Sequence, residues 1–253
     1  MSWDKGWVRR SFDRAATHYD RWAELQRQIG ERLLAALPER PPAGWLVDVG
    51  SGTGECAQVL ARRYHRPVVV LDIAFGMVKE AQRKLQRKAY FMVGDAEALP
   101  LADSCAGLVV TNLALQWCLK PHQALAEISR VLLPSGMLLF SSLTTGTLEE
   151  LRLAWGQVDS YSHVNRFVTS QDLNHALARA GFSRWHLTQE KIVRRYSSVL
   201  SLLKEIKEIG ARNVTLGRPR HLLGKKTLTK LIAAYGEGEI EASFFPVYGW
   251  AVR

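Results

Sequence analysis

Cysteine is scarce in this chain: Cys56, Cys105 and Cys118 are the only three among 253 residues. An odd number without short paired spacings gives neither a disulfide framework nor a metal site. No metal is therefore expected, and the thiols read as inert groups in a reduced, cytoplasmic compartment. Long apolar runs are missing too, since none approaches the roughly 18 residues that cross a bilayer. The opening "MSWDKGWVRR" has charges but no apolar block behind them, so no secretory signal is expected. Internal repeats and low-complexity tracts are absent. A hydrophobic share of 47% with 23% charged residues excludes disorder. The length suits one large α/β domain over residues 1–253.

Acids are missing altogether from residues 211–230, "ARNVTLGRPRHLLGKKTLTK". Six cations stand there, Arg212, Arg218, Arg220, Lys225, Lys226 and Lys230, with His221 a seventh when protonated. Residues 191–230 hold eleven Lys or Arg against two acids, Glu205 and Glu208, whereas the rest of the chain has 23 bases and 22 acids. The net charge of +10 is thus a patch, and a patch can steer an anionic partner. Aromatic residues are lacking from 197 to 234, which weakens a single-strand nucleic-acid reading. The preceding "SVLSLLKEIKEIG" mixes acids into its polar face, which weakens a membrane reading. Neither nucleic acid nor a membrane is the expected partner.

What is present is an alternation of apolar strands and amphipathic helices. Residues 11–37 carry a 3.6-residue apolar stripe and predict one helix, ended by "PERPPAG". Strands are predicted over 45–50, 67–74, 89–95, 107–113 and 136–143, with helices over 55–64, 76–88 and 121–132 between them. Continuous Val/Leu strands joined by helices imply a mostly parallel sheet covered on both faces, a Rossmann-like, doubly wound α/β fold of seven strands. Residues 1–44 would form lid helices, 45–143 the binding core, and 144–169 an insertion over the active edge. Residues 170–253 would form a C-terminal half with a basic helical insertion over 197–236. In that half, a helix capped by Ser170 and stopped by Gly181, a strand over 183–196 and a last strand "SFFPVYGWAV" are predicted.

The chemistry sits at the strand ends. "VDVGSGTGE" gives a G-x-G-x-G turn, in which Gly50, Gly52 and Gly54 let the backbone approach a ligand. Glu55 directly after it would repel a phosphate and argues against a nicotinamide dinucleotide. Asp48 is odd inside an apolar strand unless it orients the loop or meets a cation. Asp72 at the end of the second strand can accept both hydroxyls of a ribose. Asp95 at the third can accept from an adenine amine, and "NLALQW", Asn112 to Trp117, follows the fourth.

These elements together resemble the class I S-adenosylmethionine-dependent methyltransferases over roughly residues 45–143. The resemblance implies S-adenosylmethionine as cofactor and S-adenosylhomocysteine as product. It implies contacts from Asp48 and the Gly50, Ser51, Gly52, Thr53, Gly54 turn, and from the strand-end residues Asp72, Ile73, Asp95, Ala96, Asn112, Leu113 and Gln116. A finer likeness lies outside the core. "SFDRAATHYDRWAELQRQIGERLL", "TNLALQWC" and "GTLEELRLAWGQVDSYSHVNRF" look like the malonyl-[acyl-carrier protein] O-methyltransferases of biotin synthesis. This implies methylation of the free carboxylate of a malonyl thioester. Such a carboxylate needs no general base, because its pKa is near 4. What the site needs is a cation or donor set to hold it and an apolar wall to exclude water, and Arg166 in "HVNRF" is the first candidate for the grip. His163 and Asn165 flank it, and Tyr19 and Trp117 are expected to line the reactive end. An acidic acyl-carrier protein would meet the basic patch, with malonyl-CoA a second possible substrate. Another small acid or quinone precursor, or RNA, stays open as an alternative methyl acceptor.

Overall fold

A computed structural model describes residues 4–41, 43–213 and 224–253. Nine strands and nine α-helices stand among them. The first half alternates as the sequence pattern requires. β1 (Trp45–Val49), β2 (Val68–Asp72), β3 (Ala89–Val93), β4 (Ala106–Asn112) and β5 (Leu132–Leu143) pair in parallel. Every residue of β2 is buried, which is why it reads as an unbroken apolar run. α3 (Glu55–Tyr64), α4 (Phe75–Leu85) and α5 (Pro121–Val131) connect them, and Pro121 sits at the first turn of α5, where its missing N–H is harmless.

The main sheet has seven strands in the order β3-β2-β1-β4-β5-β9-β6, so the expected doubly wound architecture holds. β9 (Pro246–Val252) runs antiparallel between β5 and β6 (Arg184–Gln189). Strand order reverses between β1 and β4, and a crevice opens at the carboxyl ends of those strands.

Four expectations need correction. The helix over 11–37 is two helices, α1 (Lys5–Ala15) and α2 (Glu24–Leu34), separated by a 3-10 turn at Tyr19–Arg21. Tertiary bonds impose the break: Asp20 accepts from Thr53 Oγ1 at 2.6 Å and pairs with Lys84 Nζ at 2.5 Å. The strand over 183–196 is two strands in different sheets. β6 stays in the main sheet, while β7 (Ile192–Tyr196) leaves it to pair antiparallel with β8 (Ile240–Phe244). The last strand divides likewise at Phe245, whose carbonyl accepts from Thr144 N and Oγ1 and whose N–H donates to Thr147 Oγ1. Finally, Thr169 and not Ser170 caps α7 (Ser170–Arg179). Its hydroxyl accepts from Asp172 N while Asp172 returns a bond to Thr169 N.

Residues 144–169 contain one helix, α6 (Glu149–Gly156). With α8 (Val199–Glu208), α9 (Lys225–Tyr235) and the β7–β8 pair, α6 builds a second apolar cluster beside the sheet, including Trp155, Leu202, Leu231 and Phe244. The cavity lies between this cluster and the carboxyl edge of the sheet.

Candidate active site

The glycine turn after β1 forms the floor. Gly50 has φ +66, and a Cβ there would lie 2.3 Å from the Cβ of Ala114 in the β4 turn. Only glycine lets the two strand ends close up. Gly52 has φ +53, lines the cavity, and has nothing within 4 Å of the position a Cβ would take. Its bare backbone is therefore accessible to a ligand. Gly54 serves packing instead: it is left-handed, and a Cβ there would meet Leu85 at 2.6 Å.

Asp72 ties this floor to the second strand. Its Oδ2 accepts from Gly52 N at 2.9 Å and its Oδ1 from Ala74 N at 2.8 Å. Burial raises its pKa to about 6, against the pull of those N–H groups. Asp48 is buried at 1% exposure and does not line the cavity. Its Oδ2 accepts from Ala57 N at 2.9 Å, so it orients the start of α3, and burial pushes it up to about 7. Of the two roles left open for Asp48, the loop-orienting one is the one seen.

At the third strand end, Asp95 and Ala96 line the cavity. Lys5 of α1 reaches them: its Nζ lies 2.5 Å from Asp95 Oδ2 and 2.5 Å from Glu97 Oε2. At the fourth, Asn112 accepts from Ser141 Oγ at 2.6 Å and donates to the Gln26 carbonyl at 3.0 Å. Leu113 adopts φ +54, a strained conformation for a leucine of order 1 kcal/mol. Gln116 accepts from Ser142 Oγ, and Trp117 packs edge-on against Phe12 of α1 with centroids 5.2 Å apart.

α1 and the 3-10 turn close the roof. Tyr19 lines the cavity, and burial, reinforced by Asp72 and Asp20, holds its phenol protonated well above the usual range. Asp13 Oδ1 accepts from Gly76 N at 2.7 Å, a second stitch between α1 and the sheet edge. Beyond the roof the wall is apolar, with Leu148, Leu151, Phe167, Leu203, Ile206 and Phe244. His163 and Asn165 face this compartment. His163 stacks flat on Trp155 at 3.5 Å and its Nε2 lies 2.8 Å from Asp159 Oδ1. Glu205 lines it as well, with Arg194 Nη1 at 2.6 Å and Tyr196 OH at 3.0 Å from its Oε1.

Of the expected cofactor contacts, Gly50, Gly52, Asp72, Ile73, Asp95, Ala96, Asn112, Leu113 and Gln116 line one cavity, while Asp48, Ser51, Thr53 and Gly54 do not. Thr53 is taken up by its bond to Asp20. Tyr19, Trp117, His163 and Asn165 line the same cavity, whereas Arg166 is exposed and stands one residue outside the lining. Lys5 and Gln26 were not legible as site residues, because only the long-range return of α1 and α2 brings them there. Among the patch residues, Arg212, Lys225, Lys226 and Lys230 are exposed, and Arg218 and Arg220 lie outside the described residues. Among the described residues no cluster of His, Cys, Asp and Glu is arranged to hold a metal, and no helix is long and apolar enough to cross a membrane.

Residues 47–140 match the family model described as a methyltransferase domain. The fold resembles the YcgJ protein from Bacillus subtilis, with a TM-score of 0.65 at 15% identity over 90% of this chain and 98% of that one. A malonyl-[acyl-carrier protein] O-methyltransferase from Methylococcus capsulatus is 44% identical over 92% of this chain and 86% of its own length. The chain belongs to the malonyl-[acyl-carrier protein] O-methyltransferase family. A biotin biosynthesis bifunctional protein from Cellvibrio japonicus is 40% identical over 92% of this chain and 46% of its own length. The cofactor of such a methyltransferase, S-adenosylmethionine, is a cation with two sugar hydroxyls and an adenine amine. The cavity offers matching groups: Asp72, Asp95, the bare Gly52 backbone, and Gln26 Oε1, a buried acceptor without a donor among the described residues.

Proposed function

We propose that this protein transfers a methyl group from S-adenosylmethionine to the free carboxylate of a malonyl thioester carried by an acyl-carrier protein. The methyl ester then hides the charge and primes pimelate assembly for biotin synthesis. When bound, the cofactor supplies a methyl group on a sulfonium. Asp72 would hold the ribose, Asp95 the adenine end, and Gln26 with Asn112 the amino-acid end. The observation that carries the reading is the division of one cavity. Its sheet side carries Asp72, Asp95 and the buried Gln26 acceptor, and its other side, formed with α6 and α8, is mostly apolar, with Glu205, His163 and Asn165 as its polar members.

The residues of the second compartment position the acceptor rather than activate it, because a malonyl carboxylate is already ionised at neutral pH. Holding it in line contributes by proximity, and the apolar wall excludes water. Arg166, at the mouth beside Asn165, is the proposed guanidinium for the carboxylate. The His163–Trp155 stack with Asp159 holds that loop in place. Transfer of labelled methyl to malonyl-acyl-carrier protein, compared with malonyl-CoA, free malonate and RNA, tests the proposal. The carrier-protein thioester should be the best acceptor. No transfer to any malonyl thioester would sink it.

A further inference from the structure

α1 has two working faces. Lys5, Val8 and Phe12 line the main cavity, while Trp7, Arg10, Ser11 and Arg14 turn towards a second cleft. The opposite side of that cleft is the end of α8 and the chain just after it, with Lys207, Glu208 and Arg212. This wall is shared in the same way. Ile209, Ala211 and Asn213 face the main cavity, whereas Lys207 and Arg212 face the cleft. One thickness of chain separates the two spaces.

We infer that the second cleft binds the phosphodiester of the phosphopantetheine arm on which the acyl-carrier protein presents its malonyl group. This rests on the malonyl-thioester reading above. The lining holds four fixed cations, Arg10, Arg14, Lys207 and Arg212, all exposed. Arg14, Lys207 and Arg212 have no ion-pair partner among the described residues, and Arg10 has only Asp4 at 3.9 Å. The one acid of the lining, Glu208, has His18 Nε2 at 2.9 Å and offsets at most one of the four cations, so the cleft stays positive. Like charges gathered around one concavity repel, so folding gains nothing from the arrangement, whereas a bound anion relieves it. Arginine forks match phosphate oxygens in pairs.

The cleft is also built to persist. Ser11 Oγ donates to the Gly210 carbonyl at 2.8 Å and so pins α1 to the chain after α8. The position suits a phosphate in particular. The diester marks where the arm leaves the carrier protein, so it must lie on the surface within one arm's length of the reacting carboxylate. A cleft sharing both its walls with the reaction cavity satisfies that.

The test compares malonyl-phosphopantetheine with malonyl-pantetheine, which differ only in the phosphate, as methyl acceptors for the full chain. The phosphorylated thioester should have the higher kcat/KM by about tenfold, as one charge-assisted contact gives. In an Arg14→Gln, Arg212→Gln variant that ratio should fall to within about twofold of unity, and inorganic phosphate should compete only in the wild type. A wild-type ratio near one, with malonyl-acyl-carrier protein still methylated, overturns the inference, as does a ratio unchanged in the variant. If no thioester is methylated, the substrate reading fails, and calorimetric titration still decides the cleft. Phosphopantetheine binding no tighter than pantetheine overturns it, and tighter binding lost in the variant supports it.

Discussion

Replacing Asp48 by Asn tests whether the buried carboxylate behind the glycine turn is held there against its own preference. The substitution keeps an oxygen to accept from Ala57 N–H and removes the charge. Asp48 titrates near 3.9 in an unfolded chain and near 7 in the fold, chiefly because burial opposes its ionised form. Between those values the native state binds the extra proton, so stability falls as pH rises from about 4 to 7 and is flat above. Three units at 1.36 kcal/mol each amount to ~4 kcal/mol of wild-type stability lost across that window. Asn does not titrate and loses none of it. Its amide N–H₂ lacks a built partner, which costs about 1–3 kcal/mol at every pH. The variant should therefore lie within about 1.5 kcal/mol of wild type at pH 5, where only about a third of that loss has occurred, and be about 1–3 kcal/mol more stable than wild type at pH 8. Urea unfolding of both proteins at the two pH values measures this, and titrations common to both cancel in the difference. A difference that is the same at pH 5 and pH 8 would refute the reasoning.

Gly50→Ala should destabilise the protein by about 2–4 kcal/mol, since a left-handed φ of +66 and a 2.3 Å approach to Ala114 act together; urea unfolding reads it. Gly52→Ala has φ +53 but open space, so it should cost only about 1 kcal/mol of stability while its methyl intrudes on the cavity and raises the Kd for S-adenosylmethionine. Arg166→Ala should lower kcat/KM for the malonyl thioester by about ten- to a hundredfold, as loss of a charged hydrogen bond does, with cofactor affinity nearly intact. Equal loss of cofactor affinity would move Arg166 to the cofactor end. Tyr19→Phe should lower turnover more than stability, because Tyr19 lines the cavity and its hydroxyl has no hydrogen-bond partner among the described residues.

The half of the site contributed by strand ends was legible because its causes are local. A buried run such as "VVVLD" must stop where its backbone leaves the sheet, and a carboxylate at the stop faces the crevice. Asp95, Asn112 and Gln116 follow from the same rule. Local pattern misled where tertiary bonds decide. The apolar stripe of residues 11–37 continues across the break at 16–23, since both α1 and α2 bury one face. Nothing in the spacing tells that Asp20 will leave the helix to meet Thr53 and Lys84. Lys5 carried no signal either, because its partners Asp95 and Glu97 lie about ninety residues away. The G-x-G-x-G turn was legible as a turn, but its third glycine answers to Leu85 and Ala81 and not to a ligand.

The basic stretch remains the part of the chain that folding explains least. Lys225 and Lys226 occupy the first turn of α9, the positive end of its dipole, with Gly224 as a cap that offers no side-chain bond. Cations there oppose the helix by about 0.3–1 kcal/mol each, so local stability would favour acids at those positions. We propose that they gain elsewhere, by contact with an anionic partner. If that partner is a carrier protein meeting these lysines, Lys225→Glu with Lys226→Glu should stabilise α9 slightly and yet lower kcat/KM for malonyl-acyl-carrier protein. The malonyl-pantetheine rate should change far less, and the wild-type advantage of the carrier protein should fade as salt rises and the Debye length shrinks towards about 3 Å at 1 M. Equal losses on both substrates would return the two lysines to solvated surface.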